Sequence, residues 1–299
     1  MVILTGDTHR EFERIHSFCK KFELTTSDIV IILGDAGINY LGDDRDINFK
    51  HLLDANIPVR LLCIHGNHEM RPEKIPTYTQ MQWNGGTVYI EYDFPKIMFA
   101  KCGEIYDIDG KQCIAIGGAY SIDKRIRLEQ NLGWWPDEQP SDEIKQRVES
   151  KLDSVNWKID IVMSHTGPKK YEPLEVFMKG FTQDEVDKTT EKWLDTIEER
   201  LTYKKWYCGH YHTNKAIDKI QFLYDTYLNL DDKLPGLMNT CYYVYKHKGN
   251  EFRFSSLEEL YDCDKCVLWE HLSFAEFEAF VDDLEPHKFK GVTVQKVLL

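Results

Sequence analysis

Seven side chains of the kinds that bind metal ions stand in short motifs along the chain: Asp7, His9, Asp35, Asn67, His165, His210 and His212. Each offers an oxygen or an imidazole nitrogen, and none offers a thiolate. Such mixed sets suit Mn²⁺, Fe, Zn²⁺ or Co²⁺ and disfavour copper(I) or an iron–sulfur cluster. Because seven ligands exceed what one ion needs, the set predicts two ions.

Each of these motifs follows a short apolar run. The runs with their motifs read VILTGDTH, IVIILGDAG, VRLLCIHGNHE, IVMSHTGP and KKWYCGHYH, and a further run, CIAIGGAYS, ends in a similar turn. Continuous runs rich in Val and Ile indicate strands buried on both faces, and helical spacing over residues 10–22 and 182–201 indicates helices between them. The chain is therefore predicted to be α/β. Ligand sites in open α/β sheets lie at the carboxyl ends of strands, so we expect the motifs to converge there.

A single motif of this kind also has a purely structural explanation, because buried polar groups need partners whatever their role. The ordered series is more specific, since every member stands in the expected structural context. The series GDTH, GD, GNHE, SH and GHYH resembles the calcineurin-like metallophosphoesterases of the bacterial and phage type, across about residues 1–215. The resemblance implies a four-layer β-sandwich of mixed sheets flanked by helices.

The resemblance also implies a role for each of the seven residues. One metal ion would be held by Asp7, His9, Asp35 and His212, and the other by Asp35, Asn67, His165 and His210. Asp35 would then bridge the two ions. By the same resemblance His68 is not a ligand, and it hydrogen-bonds the substrate or protonates the departing oxygen.

Physical chemistry agrees with this assignment. Two cations about 3.5–4 Å apart clamp the attacking and leaving oxygens of an in-line displacement, and a water bound to them becomes a hydroxide near neutral pH. The carboxylates Asp7 and Asp35 offset part of the metal charge. An imidazole titrates near the working pH, which suits His68 to the acid role. Mn²⁺ is the metal we expect, with Fe, Zn²⁺ or Co²⁺ as alternatives.

The segment after Asp35 departs from the protein Ser/Thr phosphatases of the family. Those proteins continue Gly-Asp into Asp-Arg-Gly, whereas this chain reads GDAGINY and lacks an arginine there to grip phosphate. The stretch GGAYSIDKRIR, followed by WWPDE, looks like a loop of bacterial and phage members. We expect Arg127 of this loop to contact phosphate, and Asp123 and Trp134 to contact substrate. The alternative is an ordinary capping loop with buried aromatic side chains.

The glycines next to the motifs can each be interpreted in two ways, and so can Glu69. The glycines before the ligands, Gly6, Gly34, Gly66 and Gly209, indicate sharp turns or a close backbone approach, although glycine also simply ends strands. Glu69 either orients a ligating histidine or lies on a solvated loop.

Composition limits the class of protein. A chain of 299 residues with 42% hydrophobic side chains fits one large domain, or one domain plus an appendage. Its formal charge of −13 argues against an extended nucleic-acid surface, because affinity for phosphate chains comes mainly from lysine and arginine. The eight cysteines are scattered, several within apolar runs, and we expect most of them to be reduced; Cys263 and Cys266 form the one Cys-x-x-Cys pair.

The C-terminal part of the chain differs in amino-acid composition. Residues 258–285 carry ten acidic side chains against one lysine, a net charge of −9. We therefore predict a phosphoesterase domain over residues 1–235 and an acidic, aromatic-rich extension over 236–299. Within the extension, Ser273 to Glu276 is a capping box that opens a predicted helix with an apolar face of Phe274, Phe277, Val281 and Leu284. The extension is either a packed appendage or a partner-binding segment.

The N-terminal sequence enters an apolar run directly, without a basic leader or a cleavage site. We expect a soluble cytoplasmic protein that does not enter the membrane. Its expected activity is metal-dependent hydrolysis of phosphomonoesters or small phosphodiesters, nucleotides included. The alternatives are a nuclease-type phosphodiesterase, a protein Ser/Thr phosphatase and a metal-binding scaffold without catalysis.

Overall fold

The computed structural model of the chain describes residues 1–130, 132–177, 186–231, 241–247, 250–254, 287–289 and 292–298. The chain divides into two compact units, Met1–Asp232 and Lys233–Leu299. The domain boundary predicted between residues 235 and 236 falls outside the described residues and stays a prediction.

The first unit alternates strands with helices over most of its length. In chain order its strands and helices are β1 (Val2–Thr5), α1 (Glu13–Lys21), β2 (Ile29–Ile32), α2 (Asp44–Asn56), β3 (Arg60–Cys63), β4 (Tyr78–Trp83), β5 (Gly86–Glu91), β6 (Ile97–Ala100), β7 (Ile105–Ile108), β8 (Lys111–Ile116), α3 (Lys124–Glu129), α4 (Asp142–Ser154), β9 (Ile161–Ser164), α5 (Thr189–Arg200), β10 (Lys205–Cys208), β11 (Lys215–Ile217), β12 (Ile220–Phe222) and β13 (Leu228–Asn229). Short 3₁₀ turns cover Pro72–Lys74, Lys169–Tyr171 and Leu174–Val176.

Two mixed sheets form the centre of this unit. The first has seven strands in the order β13-β1-β2-β3-β6-β5-β4, and the second has six in the order β11-β12-β10-β9-β8-β7. The four strands from β1 to β6 in the first sheet run parallel, as do β12, β10, β9 and β8 in the second. All six apolar runs of the sequence are strands within these parallel regions, as predicted.

Apolar side chains form three layers of core. Between the sheets pack residues such as Leu4, Ile31 and Met163. On the outer face of the first sheet, Ile15 of α1 and Leu53 of α2 belong to a second core with side chains of that sheet. On the outer face of the second sheet, α4 and α5 contribute Val148 and Leu194 to a third core. Burial of each such side chain stabilises the fold by roughly 1.5–3 kcal/mol. The result is a four-layer α/β/β/α sandwich, which confirms the predicted fold class.

The alternating pattern from Asp93 to Gly118, with Asp109-Gly110 as a type I′ turn, predicts a hairpin that is shorter in the structure. Its second half is correct, because β7 and β8 pair antiparallel around Asp109 and Gly110, whose φ values of 50° and 71° fit a type I′ turn. Its first half is wrong. The run Ile97–Ala100 is instead β6, which pairs parallel with β3 in the other sheet.

The helix predicted from residue 182 also begins later. The structure starts α5 at Thr189, whose backbone N–H donates to the side chain of Asp187 at 2.9 Å. The N-cap residue itself is Lys188, which makes no side-chain capping hydrogen bond. In the sequence, Thr182 and Glu185 have the spacing of a capping box that would open this helix, and both lie outside the described residues.

In the second unit the described residues form one antiparallel sheet. Its strands are β14 (Cys241–His247), β15 (Asn250–Phe254), β16 (His287–Phe289) and β17 (Val292–Leu298), in the order β15-β14-β17-β16. The predicted helix after Ser273 lies outside the described residues. None of the helices in the described part of the chain has the length and apolar character that a bilayer crossing requires.

Candidate metal centre

All five ligand-bearing motifs lie directly beyond the carboxyl ends of parallel strands. β1, β2 and β3 of the first sheet lead to Asp7, Asp35 and Asn67, and β9 and β10 of the second lead to the three predicted histidine ligands beyond them. The two sheets therefore contribute oxygen and nitrogen ligands to one place. This is the convergence that the position of the motifs predicts.

Several of these residues hold unusual backbone conformations. His9, Asp35, His210 and His212 have φ values of 45°, 45°, 67° and 46°. Left-handed conformations of this kind cost a non-glycine residue roughly 1–3 kcal/mol and cluster at functional sites. Backbone hydrogen bonds hold the first two in place, since the His9 N–H donates to the Asp35 carbonyl at 2.9 Å.

The glycines before the ligands allow close approach, which supports the first of the two interpretations drawn from the sequence. A Cβ on Gly34 would lie 1.9 Å from His165 Nδ1, and one on Gly66 would lie 2.0 Å from Asp35 Oδ1. Gly34 also has a φ of +102°, which side chains rarely adopt. These two positions therefore need glycine.

One group of converging atoms comes from Asp7, His9 and His212, whose potential ligand atoms all lie within 4.8 Å of one another. The Nε2 atoms of the two histidines are 2.9 Å apart. Asp7 Oδ2 lies 3.2 Å from His212 Nε2 and has no hydrogen-bond partner of normal geometry in the described structure. A buried carboxylate oxygen without a partner, facing two imidazoles, fits a bound cation.

A second group comes from Asp7, Asp35 and His165, which are all buried and also lie within 4.8 Å by their ligand atoms. His165 Nδ1 is 2.9 Å from the Leu33 carbonyl, so in a neutral ring Nδ1 carries the proton and Nε2 presents a lone pair. That Nε2 lies 2.7 Å from Asn67 Oδ1, which is also an acceptor. With the neutral ring, a cation bound by both atoms accounts for their close approach. The residues present therefore fit a metal ion here as well.

The two carboxylates are held in the same way. Asp7 Oδ1 accepts the His210 N–H at 2.9 Å, and Asp35 Oδ1 accepts the His68 N–H at 2.8 Å. Burial raises the pKa of each carboxyl group, but the surrounding imidazoles outweigh burial and hold both pKa values below the ordinary value. Both side chains are therefore anionic, as ligands of a divalent cation must be.

His210 stands at the edge of the second group. Its ring is 4.9 Å from that of His165 in an edge-on arrangement, while neither group of converging atoms includes its nitrogens. Burial, together with His165, lowers the pKa of His210 to about 3. The ring is thus neutral and free to act as a ligand.

His68 lies beside the ligands without belonging to either group. Its Nε2 is 3.9 Å from Asp35 Oδ2, and its ring is 5.8 Å from that of His9. Burial lowers the pKa of His68, Arg127 lowers it further, and the carboxylates Asp35 and Asp123 oppose this shift. The His68 ring thus lies against the ligand cluster without supplying one of its converging atoms.

The predicted substrate loop packs against this rim. Arg127 is 9% exposed, and much of its guanidinium is engaged within the protein. Nε donates to Asp123 Oδ2 at 2.7 Å, and Nη1 donates to the Tyr40 hydroxyl and the Gly133 carbonyl at 3.1 and 3.0 Å. Among the hydrogen bonds of the described residues, none uses Nη2. Nη2 is therefore the one guanidinium nitrogen of Arg127 that these hydrogen bonds do not use, and a bidentate contact through Nε and Nη1 is not open to it.

Trp134 of the same loop is half-buried. Its indole N–H donates to Glu138 Oε2 at 2.7 Å, and Lys124 Nζ lies 4.3 Å from the centre of its ring. Its polar atom is thus satisfied within the loop, and a ring face remains as its means of touching a substrate.

Three residues near the centre have roles that their sequence context did not reveal. Ser121 accepts a hydrogen bond from Asn67 Nδ2 at 2.9 Å, and Tyr40 is a partner of Arg127. Glu69 is fully buried, so the solvated-loop alternative is wrong. It accepts the Gly66 N–H at 3.4 Å and binds backbone N–H groups of the segment after Asp35 rather than a histidine. Burial, together with Asp35, raises the pKa of Glu69 to about 8.

Comparison with known proteins agrees with this geometry. The calcineurin-like phosphoesterase family matches residues 1–214. No protein in a set of curated sequences matches the chain.

Among solved structures, the protein TT1561 of Thermus thermophilus is similar, with 14% identity, a TM-score of 0.45, and coverage of 78% of this chain and 96% of that one. The phosphopantetheinyl hydrolase PptH of Mycobacterium tuberculosis shows 13% identity, a TM-score of 0.38, and coverage of 75% and 87%. More than two thirds of the chain, including all seven predicted ligands, falls within the family match. The chain belongs to the calcineurin-like phosphoesterases, a family of metal-dependent hydrolases of phosphate esters that bind two metal ions.

Proposed function

We propose that this protein hydrolyses phosphomonoesters or small phosphodiesters, including nucleotides, at a centre of two divalent ions. The observation that carries the proposal is the convergence of acceptor atoms that lack donors. Asp7 Oδ2 is buried without a hydrogen-bond partner in the described structure, and His165 Nε2 faces Asn67 Oδ1 at 2.7 Å. These contacts support a cation-binding role better than a structural one.

The proposed ligands are the seven residues that the sequence indicates. Asp7, His9, Asp35 and His212 would hold one ion, and Asp35, Asn67, His165 and His210 the other. The converging atoms of Asp7, His9 and His212, and those of Asp7, Asp35 and His165, support this assignment. When bound, the two ions supply Lewis acidity and activate a water for in-line attack on phosphorus. Mn²⁺ is the proposed metal.

His68 is the proposed acid. Its Nε2 faces the ligand cluster, 3.9 Å from Asp35 Oδ2, and it is not needed as a ligand. It would give its proton to the departing alkoxide oxygen, which is a poor leaving group without one.

The loop around Arg127 is the proposed substrate-contact region. Arg127 Nη2 would bind a phosphate oxygen, while the carboxylate of Asp123 and the hydroxyl of Tyr40 hold the guanidinium in place. Trp134 would offer its exposed ring face to the remainder of the substrate. The missing Asp-Arg-Gly motif disfavours a protein Ser/Thr phosphatase, and the net charge of −13 disfavours a nuclease.

A direct test is turnover of p-nitrophenyl phosphate and of bis-p-nitrophenyl phosphate by the full-length chain with Mn²⁺. Hydrolysis of either ester supports the proposal, and the ratio of the two rates assigns monoesterase or diesterase preference. A chain that binds metal and turns over neither ester would instead be a metal-binding scaffold.

A further inference from the structure

The side-chain amide of Asn67 is held in one of its two orientations. Its Nδ2 donates to Ser121 Oγ at 2.9 Å, and its Oδ1 faces His165 Nε2 at 2.7 Å. All three residues are at most 1% exposed. An amide can bind a cation only through its oxygen, because its nitrogen has no lone pair to offer. The orientation seen here is therefore the only one that makes Asn67 a metal ligand.

Ser121 in turn contacts a buried carboxylate. Glu138 is 3% exposed, and the side chain and backbone of Ser121 lie close enough to lower its pKa against the effect of burial. Glu138 Oε2 also accepts the indole N–H of Trp134 at 2.7 Å. The chain of contacts thus runs from Trp134 through Glu138 and Ser121 to Asn67.

The direction of each hydrogen bond in this chain follows from the chemistry of the groups. An ionised Glu138 only accepts, so a hydrogen bond from Ser121 to it uses the single hydroxyl hydrogen of Ser121. Ser121 Oγ can then only accept a hydrogen bond from Asn67, so the Asn67 side chain directs its Nδ2 to Ser121. Its Oδ1 is thereby turned toward His165 and the centre.

We propose that Ser121 and Glu138 are positioning residues that fix Asn67 as an oxygen ligand of the metal centre. The inference rests on the proposed ligand set, because it assigns a purpose to the orientation of one of its members. Through Ser121 and Glu138, the loop proposed to contact substrate also supports the metal centre.

The same loop is tied internally at a second place. Arg127 bonds Asp123 and the Gly133 carbonyl within the loop, and Tyr40 outside it. The hydroxyl of Ser121 therefore sits in a braced segment rather than on a free turn. Partners of this kind around metal ligands commonly change metal affinity about 10- to 100-fold when they are removed.

The test uses the full-length chain, freed of metal with a chelator and titrated with Mn²⁺ by calorimetry. We expect wild type to bind two ions and Asn67→Ala to lose or strongly weaken one. We expect Ser121→Ala to weaken one ion by about 10- to 100-fold. Glu138→Gln should weaken it in the same direction, because a glutamine can donate to Ser121 and release its hydroxyl hydrogen toward the Asn67 oxygen.

The decisive control is the same pair of changes in an Asn67→Asp background. A carboxylate offers an oxygen in either orientation, so Ser121→Ala should change metal affinity less than about threefold there. A general loss of structure would reduce affinity equally in both backgrounds. Ser141→Ala serves as a matched serine, because Ser141 caps α4 and should affect stability without affecting metal binding.

Three results would overturn these claims, the first the ligand set and the other two the positioning role. Unchanged metal binding by Asn67→Ala would remove the proposed ligand set itself. Loss of one ion in Asn67→Ala, but wild-type affinity in both Ser121→Ala and Glu138→Gln, would leave the ligand set and remove the positioning role. Equal loss for Ser121→Ala in the Asn67 and Asn67→Asp backgrounds would likewise overturn it. If Ser121→Ala does not fold, Glu138→Gln carries the same comparison.

Discussion

At the scale of single residues, the metal centre is built from side chains that lack ordinary partners. Asp7 Oδ2 has no hydrogen-bond donor among the described residues, and His165 Nε2 faces another acceptor. Other buried side-chain atoms of the described residues, such as Glu69 Oε2, also lack partners, but the Asp7 carboxylate is set apart because it converges with two imidazoles. The ligand atoms are thus arranged for an ion that the polypeptide itself does not supply.

The role of His68 can be separated from metal binding by substitution. His68→Ala should bind two Mn²⁺ ions like wild type, because its ring belongs to neither group of converging ligand atoms. Turnover should fall by about 10²–10⁴-fold, the usual contribution of a positioned acid. The loss should be larger for phenyl phosphate than for p-nitrophenyl phosphate, whose leaving group needs less protonation. Metal content and kcat for both esters check this, and unchanged turnover would remove the acid role.

Arg127 can be compared with a neighbouring arginine. Arg127→Ala should lower kcat/KM by about 10- to 100-fold, the size expected for one lost hydrogen bond to a charged phosphate. Arg125→Ala is the control, because its side chain is 87% exposed on the same short helix and we expect no change. Equal effects of the two substitutions would argue against a specific phosphate contact by Arg127.

The seven proposed ligands could be named from sequence, whereas their supporting residues could not. The ligands stand in short local motifs after apolar runs. Ser121 lies 54 positions from Asn67, and Tyr40 lies 87 positions from Arg127. Such pairs depend on how loops from different strands meet, which local sequence does not encode. For the same reason, the hydrogen bonds that Arg127 makes within the protein could not be predicted.

At the scale of elements, the strand ends determine where the ligands lie. The parallel strands could be predicted because they are buried on both faces and read as continuous apolar runs. The β4–β5 hairpin was missed, although its two-residue loop is Asn84-Gly85 with φ values of 47° and 85°, a strong hairpin signal. The start of α5 is predicted too early, because residues 186–188 are not helical in the structure.

The turn between β2 and Asp35 provides a test at this scale. Gly34→Ala would place a Cβ 1.9 Å from His165 Nδ1 and should displace that ring, lowering Mn²⁺ affinity more than about tenfold. Gly85→Ala is the control, because its φ is also positive but nothing lies within 4 Å of the added atom. It should cost only about 1–2 kcal/mol of stability and leave metal binding intact. Calorimetric titration of both variants with Mn²⁺ checks this, and normal metal binding by Gly34→Ala would contradict it.

At the scale of the whole first unit, the two sheets cooperate at one edge. Three of the motifs come from the first sheet and two from the second, so the centre exists only when both sheets are packed together. The four-layer arrangement was predictable through the family resemblance carried by the motifs. The sheet of the second unit was not predicted, because the acidic and aromatic C-terminal sequence shows no clear alternation of apolar and polar residues.

A buried carboxyl group near the second sheet makes stability depend on pH. Glu191 is 2% exposed on α5, with Thr166, Glu172, Lys188 and Tyr211 around it. Burial raises its pKa from the ordinary 4.5 to about 7. The folded state then holds the proton more tightly than the unfolded state, so stability is lost as pH rises from 4.5 to about 7.

Glu191→Gln removes this dependence, because its amide is neutral at every pH. In metal-free protein we expect the variant to gain up to about 3 kcal/mol over wild type at pH 8 and much less at pH 5. Glu199→Gln, on the exposed face of the same helix, is the control. Thermal unfolding at the two pH values measures the effect, and an equal difference at both would contradict it.

The central claim is that two metal ions and one phosphoesterase reaction share this centre. Its most direct test adds Mn²⁺ in measured equivalents to metal-free, full-length protein while p-nitrophenyl phosphate and bis-p-nitrophenyl phosphate hydrolysis are followed. We expect no turnover without metal and an activity that saturates at two equivalents per chain. Turnover that is independent of metal, or two bound ions without turnover of either ester, would contradict it.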